Sequence, residues 1–146
     1  MEKILIKDAH IVNEGTIFRG DVLVHNGIIE EIAESISAKS GDVHIFDAEG
    51  TYLIPGIIDD QVHFREPGLT HKGNIATESK AAVAGGITSF IEMPNTVPQT
   101  TTIEKLEEKF EIAANSSAAN YSFMFGGTND NLEEILKVDK KNVAGL

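Results

Sequence analysis

The residues best suited to chemistry sit close together in Asp59-Asp60-Gln61-Val62-His63-Phe64-Arg65-Glu66-Pro67-Gly68. Side chains two apart on a strand share a face, so an extended run points Asp59, Gln61 and His63 the same way. A carboxylate, an amide and an imidazole on one face can hold a hard or borderline metal ion. On residue type alone, His63 reads more simply as a hydrogen-bonded structural histidine. Arg65 is a candidate anion clamp, because the guanidinium fork matches a carboxylate in a bidentate manner; a surface ion pair with Glu66 is the plainer alternative. A second cluster is Glu92-Met93-Pro94-Asn95-Thr96. Asn95 can donate to and accept from a polar substrate, and it also reads as a turn residue after Pro94.

The other candidates are weaker. Gly126-Gly127 follows an apolar run and lacks any fuller phosphate-loop signature. Gly85-Gly86 reads as a helix end. His10, His25 and His44 read as sheet or surface residues, and His71 as a loop residue. The run from Glu104 to Glu111 reads as a solvated, charge-rich helix face.

Two differently patterned regions must position these residues. Residues 1–54 carry short β-prone runs, with Asn26-Gly27 as a hairpin turn between Val22–His25 and Ile28–Ile32. They predict a small antiparallel, sandwich-like β domain. Residues 55–146 alternate apolar runs with amphipathic ones. Asn74 is a candidate cap for a helix running to Ala84, and Ile87 to Met93 follows as a strand. Thr101 and Glu104 make a capping-box pattern, with Ile103, Leu106, Phe110 and Ala113 at helical spacing behind it. Tyr121 to Phe125 reads as a strand, Asp130 and Glu133 as caps of a third helix, and Val143 to Leu146 as the start of a fourth strand. This β-α-β-α-β-α-β order is the grammar of a parallel sheet with helical crossovers. Such folds place their chemistry where strands end, which is where both clusters fall.

Composition narrows the partners. The 146 residues carry 12 basic and 23 acidic side chains, a net charge of −11. That charge disfavours nucleic acid and anionic membrane surfaces. There is no cysteine, which removes disulfides, thiolate metal sites and thiol nucleophiles. No apolar run is long enough to span a bilayer, and no signal peptide is evident, so a cytoplasmic location is expected. A small-molecule substrate and a homo-oligomer are the remaining partner classes. The length falls short of a complete (β/α)8 barrel, which takes about 250 residues.

PGIIDDQVHFREPG at 55–68, followed by AAVAGGITSFIEMPNT at 81–96, resembles the dihydroorotases of the cyclic amidohydrolase superfamily. The resemblance implies a TIM-type barrel entered from a small β domain, with residues 55–146 as its first three βα units and an incomplete fourth strand. It implies zinc, and interconversion of dihydroorotate and N-carbamoyl-aspartate in pyrimidine synthesis. The family's first strand carries an Asp-x-His-x-His pattern. His63 matches its second histidine as a zinc ligand, while Gln61 stands where the first belongs, so a second metal ion is weakened, replaced or lost. Arg65 and Asn95 match the family's binders of the substrate carboxylate. The bridging lysine, later histidines and basic aspartate have no counterpart in these 146 residues, so the chain alone is expected to be inactive. Two further readings accompany this one: a non-catalytic dihydroorotase-like subunit supporting a carbamoyltransferase, and an allantoinase- or hydantoinase-type enzyme.

Overall fold

The computed structural model describes residues 3–37 and 43–146. Contacts divide the chain into two units, Met1–Pro55 and Gly56–Leu146.

The first unit is β-rich. Strand β1 (Lys3–Asn13) pairs antiparallel with β2 (Thr16–His25), which pairs antiparallel with β3 (Ile28–Ala33). Asn26 and Gly27 both take positive φ, +52° and +77°, the backbone a type I′ hairpin turn requires. The sheet is nonetheless mixed rather than antiparallel. Strands β4 (His44–Asp47) and β5 (Tyr52–Leu53) both lie parallel to β1. The turn at 48–50 does not reverse the chain into a hairpin; it steps it forward along the same partner. A shift in the β1 ladder between Ile6 and Ala9 makes this possible. There Asp8 adopts φ +56°, Lys7 O accepts the amide of Ala48 and Asp8 O that of Gly50, each at 2.8 Å. The described strands of this unit form one five-stranded sheet and not two stacked ones. Ala9, Ile11, Val22 and Ala48 are its buried centre.

The second unit is mixed α/β. Strands β6 (Ile57–Val62), β7 (Ile87–Glu92) and β8 (Asn120–Phe123) form a parallel sheet in sequence order. Helix α1 (Ile75–Ala84) joins the first two, and α2 (Ile103–Ser116) joins the second pair. Asn74 caps α1, accepting from the Thr77 amide, and Gly85 ends it. The cap of α2 is Thr102 rather than Thr101: its extended backbone leaves Ile103 as the first helical residue, and its hydroxyl accepts from Lys105. Glu104 completes no box, because the Thr101 amide it would serve donates to Gln99 O at 2.9 Å, while Glu134 Oε2 takes the Ile103 amide at 2.9 Å. Helix α3 (Leu132–Lys137) begins after Asn131, not Asp130. Asn131 forms no side-chain cap because its amide is used elsewhere: Oδ1 accepts from Thr128, and Nδ2 donates to Thr101 O and Gly126 O. The strand expected at Val143–Leu146 is present as a single parallel bridge from Gly145 to Met124. Val62, Phe64, Ile75, Phe90, Leu106, Ala113, Phe123 and Phe125 make the buried core.

Candidate active site

Val62 and Phe64 are buried in the core while Gln61 and His63, at the alternate positions, are exposed. The alternation of an extended chain thus separates a packing face from a face free for ligands. Asp59 belongs to the second face by period, but its Oδ1 accepts the Gln61 amide at 3.2 Å, a local turn bond that an aspartate readily forms. It coincides with the irregularity in pairing between Asp59 and Val62.

The structure joins the two clusters that the sequence set 32 residues apart. His63 Nδ1 lies 2.9 Å from Asn95 Oδ1. A carbonyl oxygen only accepts, so Nδ1 is the donor of this bond and Nε2 is the ring nitrogen left for another partner. That is the arrangement of a metal-binding histidine whose second nitrogen is held by a neighbouring acceptor. Among the described residues, the two amide protons of Asn95 have no acceptor, and its side chain is exposed. Arg65 follows at φ +73°. Its amide donates to Glu92 Oε1 at 3.0 Å, and its own carbonyl accepts from Leu69 at 3.0 Å. The two strand-end loops also touch directly: the Val97 amide donates to Pro67 O at 3.2 Å, and Gly68, at φ +82°, leaves no room for a Cβ beside the Val97 carbonyl. Glu66, read from sequence as a possible partner for Arg65, turns instead to the start of α1, where Oε2 accepts the Ile75 amide at 2.8 Å. A carboxylate at that position is favoured by the positive end of the helix dipole.

Beneath these loops lies a buried pair of opposite charges. The charge run from Glu104 to Glu111 predicts a solvated position for Lys109, yet it is 1% exposed. Its Nζ sits 3.0 Å from Glu92 Oε2, whose residue is fully buried. The oxygen lies off the hydrogen-bonding direction, so this contact is an ion pair by distance. Lys109 also donates to Met93 O at 3.2 Å and stands 4.9 Å above the Phe123 ring. Burial pushes the Glu92 carboxyl up and the Lys109 ammonium down from their ordinary values, and each partner opposes the shift of the other. The available signal was positional. Leu106, Lys109 and Ala113 fall on one helical stripe, and Phe90 and Glu92 on one strand face, so two opposite charges occupy core positions.

A cavity of about 220 Å3 opens beside Asn95, bordered by Pro94, Gln99, Thr101 and Gly126. Gly126 offers no phosphate cradle, because its amide is spent on Thr100 O at 2.7 Å. His71 is exposed in its loop. Among the described residues, no three His, Asp or Glu side chains converge to enclose a metal, and the exposed His63 is a residue that could contribute one ligand. Gln61 makes no side-chain contact among the described residues that fixes it as a second ligand. No described helix is long and apolar enough to cross a membrane.

The chain is similar to known proteins along its length. Residues 50–137 match the family described as Dihydro-orotase-like. A dihydroorotase of Methanosarcina acetivorans is 38% identical across all of this chain, which spans 31% of that protein. One from Carboxydothermus hydrogenoformans is 50% identical over 96 residues, 64% of this chain and 22% of its own length. Among solved structures, the L-hydantoinase (dihydropyrimidinase) of Arthrobacter aurescens superposes with a TM-score of 0.91 at 32% identity, over 99% of this chain and 32% of that one. The chain spans about a third of the length of such relatives. With its matched segment covering both strand-end clusters, the chain belongs to the dihydro-orotase-like family.

Proposed function

We propose that this chain supplies the opening strands of a (β/α)8 amidohydrolase that interconverts dihydroorotate and N-carbamoyl-aspartate. The observation that carries the reading is the meeting of His63 and Asn95 next to Arg65, at the ends of adjacent parallel strands. Hydrolysis of the ring breaks an amide C–N bond, adds water, and leaves a new carboxylate and a ureido group. The ring's own carboxylate does not react, so it serves as a handle. Arg65 can engage it through two parallel N–H bonds, and the free amide protons of Asn95 can reach the same oxygens. His63, its Nδ1 engaged by Asn95 and its Nε2 left for another partner, is suited to be one ligand of zinc. When bound, zinc lowers the pKa of a coordinated water to near 7. Gln61 would offer a carbonyl oxygen, a harder donor than imidazole, so any metal near it is bound less firmly than by the histidine of the family pattern.

The test is an assay of the full-length, zinc-loaded protein for cyclisation of N-carbamoyl-aspartate. Arg65→Met should raise KM for that substrate about 10- to 100-fold, the loss of a charged hydrogen-bond pair. Zinc-loaded protein that does not cyclise it sinks the proposal. A hydantoinase-type activity is the second reading, favoured by the likeness to L-hydantoinase. Faster turnover of a neutral ring lacking the carboxylate than of dihydroorotate would select it.

A further inference from the structure

The buried pair of Glu92 and Lys109 calls for a reason beyond stability. Desolvation largely offsets the attraction within such pairs, and apolar residues of similar volume often serve as well. Its other bonds supply the reason. Glu92 Oε1 accepts the amide of Arg65, and Lys109 Nζ donates to the carbonyl of Met93, two residues before Asn95. Arg65 stands in the left-handed region at φ +73°, which a side-chain-bearing residue keeps only when its surroundings enforce it. The Glu92 carboxylate is such an enforcement, since it takes up the one amide that this conformation turns toward the core. The Met93 carbonyl lies at the end of β7, where the backbone leaves the sheet. One pair therefore grips both loops from beneath, each through a main-chain group. Neither charged side chain reaches the exposed face, because both are buried.

We infer that Glu92 and Lys109 are positioning residues that set the spacing of Arg65 and Asn95 to the width of a substrate carboxylate. The inference rests on the proposed carboxylate-binding role of Arg65. The pair acts through the main chain of the two loops and does not touch substrate. Its removal therefore weakens binding of the carboxylate and leaves the bond-breaking step largely alone.

Two double variants of the full-length, zinc-loaded protein test this. E92L/K109M removes both charges and the acceptor for the Arg65 amide. E92Q/K109M removes the charges but keeps a carbonyl oxygen in place. The expected result for E92L/K109M is a KM for N-carbamoyl-aspartate raised about tenfold or more, with kcat within about threefold and an unchanged melting temperature. E92Q/K109M should recover a KM within about threefold of wild type. Unchanged KM in E92L/K109M, or a fall in kcat and melting temperature without a rise in KM, overturns the inference. Should E92L/K109M fail to fold, hydrogen exchange at the Arg65 amide of the wild-type protein decides: strong protection supports the clasp, and exchange at the rate of an open chain overturns it. Arg65→Met is the control. If it raises KM while E92L/K109M does not, the carboxylate reading stands and this inference falls. If it leaves KM unchanged, both fall.

Discussion

At the scale of single residues, type and spacing single out polar candidates at the strand ends but not what supports them. His63, Arg65 and Asn95 are polar groups beside strand ends, and such positions are legible in a linear sequence. That His63 and Asn95 bond to each other was not, because their 32-residue separation closes only through a helix and a parallel strand. Lys109 was misread for a different reason. In a run as charged as Glu104 to Glu111, one lysine on the apolar stripe looks like its neighbours until the stripe itself is drawn through Leu106 and Ala113. Its burial predicts an asymmetry. Lys109→Met alone strands the Glu92 carboxylate without its counter-ion and should cost about 3–5 kcal/mol. Replacing both partners by apolar residues should cost far less. Denaturant unfolding of the two variants under identical conditions measures the difference, and equal losses would contradict it.

At the scale of elements, local chemistry was the reliable guide. The Asn74 cap, the Gly85 stop and the Asn26-Gly27 turn were each written in two or three residues, and each is present. The mixed sheet was not legible, because parallel pairing of β4 and β5 with β1 depends on a bulge at Lys7 and Asp8 and on distant amides that meet it. The caps of α2 and α3 lie one residue later than the pattern places them: the Thr101 amide is bound by Gln99 O, and the side chain of Asn131 is bound within its own loop and to Thr101 O, so neither local box forms. The contact between the two strand-end loops carries its own prediction. Gly68→Ala puts a methyl against the Val97 carbonyl and also places an L-residue at φ +82°. It should destabilise by about 1–3 kcal/mol and raise KM, because the loop carrying Arg65 must move away from the loop carrying Asn95. Thermal melts together with substrate titration check both effects, and a variant that binds and melts like wild type would disprove the contact's importance.

At the scale of the whole molecule, the two units should answer acid differently. In the β-rich unit, Asp21 is 3% exposed and accepts the amides of Asp8 and Ile36 at 2.9 Å each, with Lys7 at 3.0 Å. Burial pushes its carboxyl up, but those amide bonds and Lys7 outweigh burial and hold it below the ordinary 3.8. Folding therefore favours the ionised form, and the stability it contributes is present above that ordinary value and drains away as pH falls below about 4. In the α/β unit the shift of Glu92 is upward from 4.5, so acid draws no corresponding stability from that carboxyl. Hydrogen exchange, corrected for its intrinsic pH dependence, should show β1 to β3 loosening below pH 4 before β6 to β8. Asp21→Asn should erase the difference and cost about 1–3 kcal/mol at neutral pH. Simultaneous loosening of both sheets in the wild type would count against Asp21 as the cause.

The carboxylates that close the helix starts also bear on how such a chain can change over generations. Glu66, from the loop after the first strand, takes the leading amide of α1, and Glu134, from α3, takes that of α2. The second of these crosses a repeat boundary, so the third strand–helix repeat completes the second. Repeats joined in this way are poor cassettes. Recombination between Ser116 and Asn120 looks like a cut through a loop, yet it would separate Ile103 from the acceptor that satisfies it. A lineage that swapped repeats there would have to bring a carboxylate with the incoming piece, or evolve another acceptor for the Ile103 amide, before the junction became neutral.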